Sequence, residues 1–207
     1  MVASSSSGRF WVLGFLAVGV LFGEGCKESP APMEGDTWAP ERVESPNIAK
    51  NYFRVGQGRV LLAGQPNEAG LDEWKEDGVK TVVNLRPDEE LPDFDEKRLV
   101  EERGMEYVHI PVTSQGEHRL TDETVDAFVQ VLDSSPGPVV IHCGSANRVS
   151  ALWAVYLARK KGVPPEQALE WARASGMKDG YAQDFAAEYM KRNCSTPPNS
   201  ESSDGAP

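Results

Sequence analysis

Short apolar runs alternate with amphipathic stretches through the middle of the chain. The apolar, partly β-branched runs predict four strands, at 59–64, 79–85, 107–112 and 138–143. Apolar positions at helical spacing predict helices at 67–77, at 94–103, from Thr121 to the Pro136-Gly137 turn, and at 149–161, 166–175 and 181–191. Strands that alternate with helices predict an α/β fold with a largely parallel central sheet of about four or five strands.

Two segments carry a more specific prediction. The run at 138–143 is nearly all apolar, as expected of a central strand covered on both faces. The stretch at 149–161 that follows it is apolar almost all round, which predicts a largely buried helix. In parallel sheets ligands bind beyond the carboxyl ends of the strands, so the link between these two segments is the first place to look for a site.

The first 26 residues have the pattern of an export signal. Arg9 precedes an uncharged run of 13 residues, Phe10 to Phe22, which is shorter than the roughly 20 apolar residues that span a bilayer. Cys26 follows closely and resembles the lipidated cysteine of a bacterial lipoprotein signal. This predicts a lipid-anchored protein on the periplasmic side of a membrane. Ordinary secretory cleavage to a soluble protein, or an uncleaved anchor, are the alternatives.

Composition divides the rest of the chain. Residues 27–51 are rich in proline and poor in aliphatic residues, and they are interpreted as a disordered tether. Residues 195–207 are interpreted as a disordered tail for the same reason. The predicted domain therefore covers 52–194, which is long enough for one core.

Overall composition and charge narrow the range of functions. With 40% apolar and 26% charged residues, the chain has the usage of an ordinary globular protein. A net charge of −11 makes nucleic acid an improbable partner, because both would be polyanions. Three cysteines are too few for a disulfide framework, and three histidines without a zinc-ligand spacing predict neither a metal nor a cofactor.

The link after the predicted central strand reads His142-Cys143-Gly144-Ser145-Ala146-Asn147-Arg148. A turn of small residues leaves backbone N–H groups free to face an anion, and the next helix adds the partial positive charge of its N-terminus. Arg148 adds a charged planar fork that suits a tetrahedral oxyanion. Cys143 would therefore sit in positive potential, which favours a thiolate nucleophile. The alternative is a buried cysteine with a packing role only.

This unit, taken with other runs, resembles the cysteine-dependent phosphatase fold. More narrowly it resembles the phosphatase-like domains of the beta-lactamase-hydrolase-like proteins and those fused to NAD kinase. The runs that carry the resemblance lie in family order over roughly 52–180, and they are Ala63–Pro66, Gly78–Arg86, His109–Val112, His142–Arg148 and Ala151–Trp153. The resemblance implies a three-layer domain of the dual-specificity or tyrosine phosphatase type.

The resemblance also implies roles for individual residues. Cys143 would attack phosphorus and carry a covalent intermediate, and Arg148 would bind the transferring group. His142 would support the loop and help to keep Cys143 ionised. Arg86 would be a second anion contact, or else part of a structural ion pair. The remaining members of the anion-binding loop would be Gly144, Ser145, Ala146 and Asn147.

Two departures from the family pattern keep other functions open. Four residues separate Cys143 from Arg148, where most cysteine phosphatases have five, and four is the spacing of rhodanese-type sulfurtransferases. The loop at 113–118 also lacks the usual Asp general acid, so Glu117 or His118 would have to replace it, unless both are ordinary surface residues. A phosphatase acting on a phosphorylated small molecule or protein is the first hypothesis. A sulfurtransferase that takes sulfur from a sulfane donor, and a non-catalytic anion-binding module, are the others.

Two further expectations concern charge and redox state. The acidic stretch from Asp88 to Glu96 is interpreted as a solvated surface. Export would place Cys143 and Cys194 in a compartment where disulfides persist. We expect Cys143 to stay free, because a recessed loop cysteine is hard to bridge to a chain end.

Overall fold

Residues 38–194 are described by a computed structural model, in which one sheet carries helices on both faces. The strands are β1 (Glu41–Arg42), β2 (Tyr52–Val55), β3 (Val60–Ala63), β4 (Thr81–Asn84), β5 (Glu106–His109) and β6 (Val139–His142). The helices are α1 (Glu68–Glu76), α2 (Glu96–Glu102), α3 (Asp122–Ser134), α4 (Asn147–Lys161), α5 (Pro165–Ala174) and α6 (Tyr181–Asn193). The predicted α/β fold is confirmed, and no helix within these residues combines the length and apolar character that a bilayer crossing needs.

The sheet has the strand order β1-β2-β3-β6-β4-β5. Strands β3, β6, β4 and β5 are parallel, which confirms the largely parallel sheet, and β6 lies at its centre as its apolar sequence predicted. Strands β1 and β2 add an antiparallel edge that the sequence did not reveal. β1 has only two residues, both charged, and β2 includes Arg54, so neither has a clear strand pattern of its own.

Part of the stretch interpreted as a tether is ordered. The backbone N–H of Val43 donates to the carbonyl of Tyr52 at 2.8 Å, and Ile48 is buried. Gly64 makes this packing possible, since a Cβ there would lie 1.7 Å from the carbonyl oxygen of Ala49. These contacts join distant parts of the chain, so local composition gave no sign of them. The predictions for 1–37 and 195–207 lie outside the described residues.

Helices cover the sheet as two layers. On one face α1 and α2 pack over a cluster that contains Leu71, Trp74 and Val100. On the other face α3, α4, α5 and α6 enclose the larger cluster. Helix α4 is buried continuously from Arg148 to Ala158, which confirms the largely buried helix. Because side chains alternate along each strand, neighbouring residues of β6 contribute to different layers.

The carboxyl ends of the parallel strands are level with each other. Ala63, His142, Asn84 and His109 form one row across β3, β6, β4 and β5. The segments that leave these four strands therefore converge at one edge of the sheet. This edge carries the site.

Candidate active site

Cys143 is the first residue after β6 and is 1% exposed. Its backbone N–H donates to the carbonyl of Ala63 at 3.2 Å, which continues the sheet by one residue. Cys143 is a free thiol. The thiol therefore lies at the base of the turn that leads into α4.

Neighbouring segments hold the turn in place. The Asn51 side-chain amide donates to the Ser145 carbonyl at 2.9 Å, and the Asn147 side-chain oxygen accepts from the Lys178 backbone N–H at 2.8 Å. Ala146 is fully buried and has a left-handed backbone with φ of 66°, which costs a residue with a Cβ about 1 kcal/mol or more. The surrounding contacts maintain that conformation. Such enforced strain is frequent in ligand-binding turns.

Arg148 lies in the first turn of α4 and is 9% exposed. Its Nη1 and Nη2 donate to the two carboxylate oxygens of Glu90 at 3.2 and 2.5 Å, and Nη1 also donates to the carbonyl of Val112 at 2.8 Å. Burial alone would lower the pKa of Arg148, but the Glu90 hydrogen bonds and the nearby Cys143 raise it above its ordinary value. The guanidinium is thus charged, and its Nη1 and Nη2 atoms are held by protein groups. No group of the described residues hydrogen-bonds to its Nε, which leaves that edge for a ligand.

Arg86, proposed as a second anion contact, is held by protein groups. Its Nη1 hydrogen-bonds to the Gln65 side-chain oxygen, and its Nε lies 3.8 Å from Glu90. Its side chain is 16% exposed. These contacts fit a structural ion pair, but its Nε is buried without a hydrogen-bond partner among the described residues, and the role of Arg86 as an anion contact stays a prediction.

His142 points away from the turn, into the layer under α1 and α2. Its ring lies 5.8 Å from that of Trp74, and its Nε2 lies 2.6 Å from Glu96 Oε1. The other Glu96 oxygen accepts from the Gln65 amide at 2.9 Å. Burial would raise the pKa of Glu96, but His142 and the Gln65 hydrogen bond lower it below its usual value. This pair stabilises the fold above the ordinary carboxyl pKa, and that contribution is lost as the pH falls through the lowered value.

The acidic stretch is therefore only partly a solvated surface. Asp88 and Glu89 are exposed as expected. The interpretation was wrong for Glu96, which is 3% exposed, and incomplete for Glu90, which is bonded to Arg148. Their partners, His142 and Arg148, lie about 50 residues further along the chain, so the acidic stretch alone could not reveal these contacts.

The two candidates for the general acid lie on the segment that follows β5. This segment starts beside the site, because the Val112 carbonyl binds Arg148, and it closes on itself where the Thr113 N–H donates to the His118 carbonyl at 2.7 Å. Glu117 and His118 are both exposed, and neither side chain is bonded to another described residue. The assignment of either as an acid stays a prediction.

Tyr181 also lies near the site. The sequence pattern indicated only that it starts a helix. It is the first residue of α6 and is half-buried. Burial raises the pKa of its hydroxyl, Arg148 acts in the opposite direction, and Cys143 and Glu90 raise it further. All three groups are thus near enough to influence the phenol. The start of α6 therefore lies near the site.

No three side chains of the metal-ligating types cluster within residues 38–194. The site is instead made of a buried cysteine, a turn that leads into a helix N-terminus, and a charged arginine. This fold and site define a protein of the phosphatase-like class. The model for the family described as "Beta-lactamase hydrolase-like protein, phosphatase-like domain" matches residues 53–160, more than half of the chain. The chain therefore belongs to this family.

Individual proteins agree with that assignment. The chain is 33% identical over 99 residues to the beta-lactamase hydrolase-like protein of Agrobacterium fabrum, a match that covers 46% of this chain and 22% of that relative. The crystal structure of P. aeruginosa TpbA in complex with pTyr has the same fold, with a TM-score of 0.59 at 22% identity over 77% of this chain and 91% of TpbA. Tk-PTP in its active form is 25% identical, with a TM-score of 0.57 over 65% of this chain and 92% of that one. The likeness to domains fused to NAD kinase stays a prediction.

Proposed function

We propose that the chain is a cysteine-dependent phosphatase that hydrolyses phosphomonoesters through a phosphocysteine on Cys143. The observation that carries the proposal is the pairing of a free, buried Cys143 with Arg148 at the two ends of one turn. Family membership and the fold shared with Tk-PTP support a phosphatase of the tyrosine or dual-specificity type. The substrate would be a phosphorylated small molecule or protein.

The reaction would proceed in two displacements. The Cys143 thiolate attacks phosphorus, so that the S–P bond forms as the bond to the leaving oxygen breaks. A water molecule then attacks phosphorus, the S–P bond breaks, and inorganic phosphate leaves the regenerated thiolate. The Nε edge of Arg148 and the turn N–H groups would hold the equatorial oxygens in both steps, where charge accumulates.

The leaving oxygen needs a proton, and we propose that the segment after β5 provides it. Glu117 and His118 are the candidates, because this segment begins at Val112 against Arg148. Glu90 does not fit the role in its present position. Both of its carboxylate oxygens accept hydrogen bonds from the Arg148 guanidinium, so the side chain is already engaged there as an acceptor.

The spacing of four residues between Cys143 and Arg148 keeps a sulfurtransferase as the second candidate. In that reaction the thiolate attacks the outer sulfur of thiosulfate, a persulfide forms on Cys143, and sulfite leaves. The persulfide then passes its sulfur to cyanide or to an acceptor thiol. Anion binding without turnover is the third possibility.

One experiment separates the three functions. The full chain is assayed with p-nitrophenyl phosphate and, separately, with thiosulfate and cyanide. We expect release of p-nitrophenol, inhibition by vanadate, and an added phosphoryl mass on the Cys143 peptide after rapid acid quench. Thiocyanate formation without p-nitrophenol release would instead establish the sulfurtransferase. Phosphate binding without turnover in either assay would leave an anion-binding module.

We also propose that the chain is exported and anchored through lipid on Cys26. When the full gene is expressed in a bacterium fed radiolabelled palmitate, we expect label in the protein and its loss in Cys26→Ser. Cys143→Ser is the matched control and should keep its label. Equal labelling of Cys26→Ser, or recovery of Cys26 in a disulfide-linked peptide, would contradict lipidation.

A further inference from the structure

Asn51 reaches the turn between Cys143 and Arg148 from the segment that precedes β2. Its side-chain amide donates to the carbonyl of Ser145 at 2.9 Å, although the two residues are 94 positions apart. Asn51 belongs to the stretch interpreted as a tether, and it lies outside residues 53–160, which the family model matches. The contact therefore brings to the site a residue that neither the sequence pattern nor the family match includes.

The position of Asn51 relative to the turn is fixed by its neighbours. Its backbone N–H donates to the Ala49 carbonyl at 2.9 Å, and its carbonyl accepts from the Gly64 N–H at 2.7 Å. Gly64 is in turn bridged to Ser145. Gly176, which closely follows α5, lies against the same amide, since a Cβ there would be 3.0 Å from Asn51 Nδ2 and 3.4 Å from the Ser145 carbonyl oxygen. Three distant parts of the chain thus meet at the Ser145 carbonyl.

The direction of this carbonyl sets the direction of the next N–H group. The peptide bonds of the described residues are all trans, and a planar trans peptide points its C=O and its N–H in opposite directions. The peptide between Ser145 and Ala146 therefore presents the Ala146 N–H on the side away from Asn51. Ala146 also has the left-handed backbone that outside contacts must maintain. Asn51 supplies one such contact at the adjoining peptide.

We propose that Asn51 is a positioning residue, which holds the Ser145 carbonyl out of the turn and so directs the Ala146 N–H towards a bound oxyanion. The proposal rests on the proposed function, in which N–H groups of the turn bind the equatorial oxygens. Asn51 itself would touch neither the phosphoryl group nor Cys143. A donor that is already in place when the substrate arrives does not have to reorganise during the reaction, which is why such donors are effective.

Anion binding tests the proposal without turnover. Asn51→Ala removes the donor, and Asn51→Leu removes it while keeping a side chain of similar size and shape. For both variants of the full chain we expect the Kd of inorganic phosphate, measured by calorimetry, to rise about tenfold, the size expected for one hydrogen bond. The kcat/KM for p-nitrophenyl phosphate should fall by a similar factor.

Asn193 provides the matched control. Its side-chain amide donates to the Tyr189 carbonyl at 3.0 Å, which is the same kind of partly buried contact at the far end of α6. Asn193→Ala should lower the melting temperature about as much as Asn51→Ala but leave the Kd of phosphate unchanged. If Asn51→Ala and Asn193→Ala share both the loss of stability and an unchanged Kd, Asn51 only supports the fold and the proposal is wrong.

The amide resonance of Ala146 gives a direct readout that does not depend on how well the variants fold. In the unmodified chain, saturation with phosphate should move the Ala146 amide proton downfield, as expected when an N–H donates to an anion. The same titration of Asn51→Leu should give a smaller shift at saturation. An Ala146 resonance that phosphate leaves in place in the unmodified chain would refute the proposal.

The outcomes separate this proposal from the proposed function. A weakened Kd in the Asn51 variants of a chain that binds phosphate but hydrolyses no phosphomonoester would overturn the proposed function and leave Asn51 as a positioning residue of an anion site. Unchanged phosphate binding in the Asn51 variants of an active phosphatase would do the reverse. A chain that neither binds phosphate nor hydrolyses phosphomonoesters would overturn both.

Discussion

Replacing Cys143 with serine is expected to abolish phosphomonoester hydrolysis, with a loss of at least about 10⁴-fold in kcat. A serine hydroxyl is not ionised near neutral pH, and no described group beside Cys143 is placed as its base. The change replaces one buried sulfur with a smaller oxygen, so the fold should persist. Initial rates with p-nitrophenyl phosphate measure the effect.

Anion binding supplies the control for this variant. Arg148 and the turn N–H groups, rather than the thiol, would hold the oxyanion, so inorganic phosphate should bind Cys143→Ser with a Kd within a few-fold of the original. Calorimetry measures this Kd. Residual activity above about 1% would mean that another group is the nucleophile and would refute the phosphocysteine mechanism.

Replacing Arg148 with lysine should lower kcat/KM by about 10²–10³-fold, although the positive charge is retained. Arginine can bind Glu90 through Nη1 and Nη2, contact Val112, and still present Nε to an oxyanion. A lysine ammonium is a single point that cannot satisfy the carboxylate and the substrate at the same time. Vanadate inhibition should weaken together with kcat/KM.

A matched change elsewhere tests whether the guanidinium geometry is the cause. Arg98→Lys makes the same replacement in an exposed pair with Glu102, where Arg98 donates at 2.6 Å. Such a surface pair contributes little, so this variant should keep full activity. If Arg148→Lys were as active as Arg98→Lys, the bidentate contact with Glu90 would have no catalytic importance.

The sequence predicted the place of Arg148 in the chain but not the partner that holds it. The position of Arg148 at the start of a helix after a small-residue turn was readable, because strand, turn and helix are consecutive in the chain. Its partner Glu90 is 58 positions away. In the sequence Glu90 is one residue of an acidic stretch. Most acidic stretches are solvated surfaces, so nothing marked Glu90 as the partner of a buried arginine.

The burial of Glu96 and the place of Tyr181 near the site could not be predicted from the sequence either. Glu96 follows Asp95, whose side chain accepts from the Arg98 N–H at 3.0 Å, and this is an ordinary helix start with acidic residues. Nothing local distinguishes the carboxylate that caps the helix from the one that is buried. Tyr181 was predicted on a helix, but the position of that helix against Arg148 depends on how α6 packs.

By itself, the sequence determined the local features of this protein: its four parallel strands and its α-helices, the parallel α/β class, the central place of β6, and the Cys143–Arg148 turn. Each of these depends on residues near one another in the chain, through periodicity, β-branching and turn chemistry. Tertiary structure alone decided the antiparallel edge, the ion pair between Glu90 and Arg148, and the burial of Glu96 against His142. The edge needs β1 and β2 to pair beside β3, and the two side-chain contacts need segments that are distant in the chain to meet beside the carboxyl end of β6. No local pattern encodes either meeting.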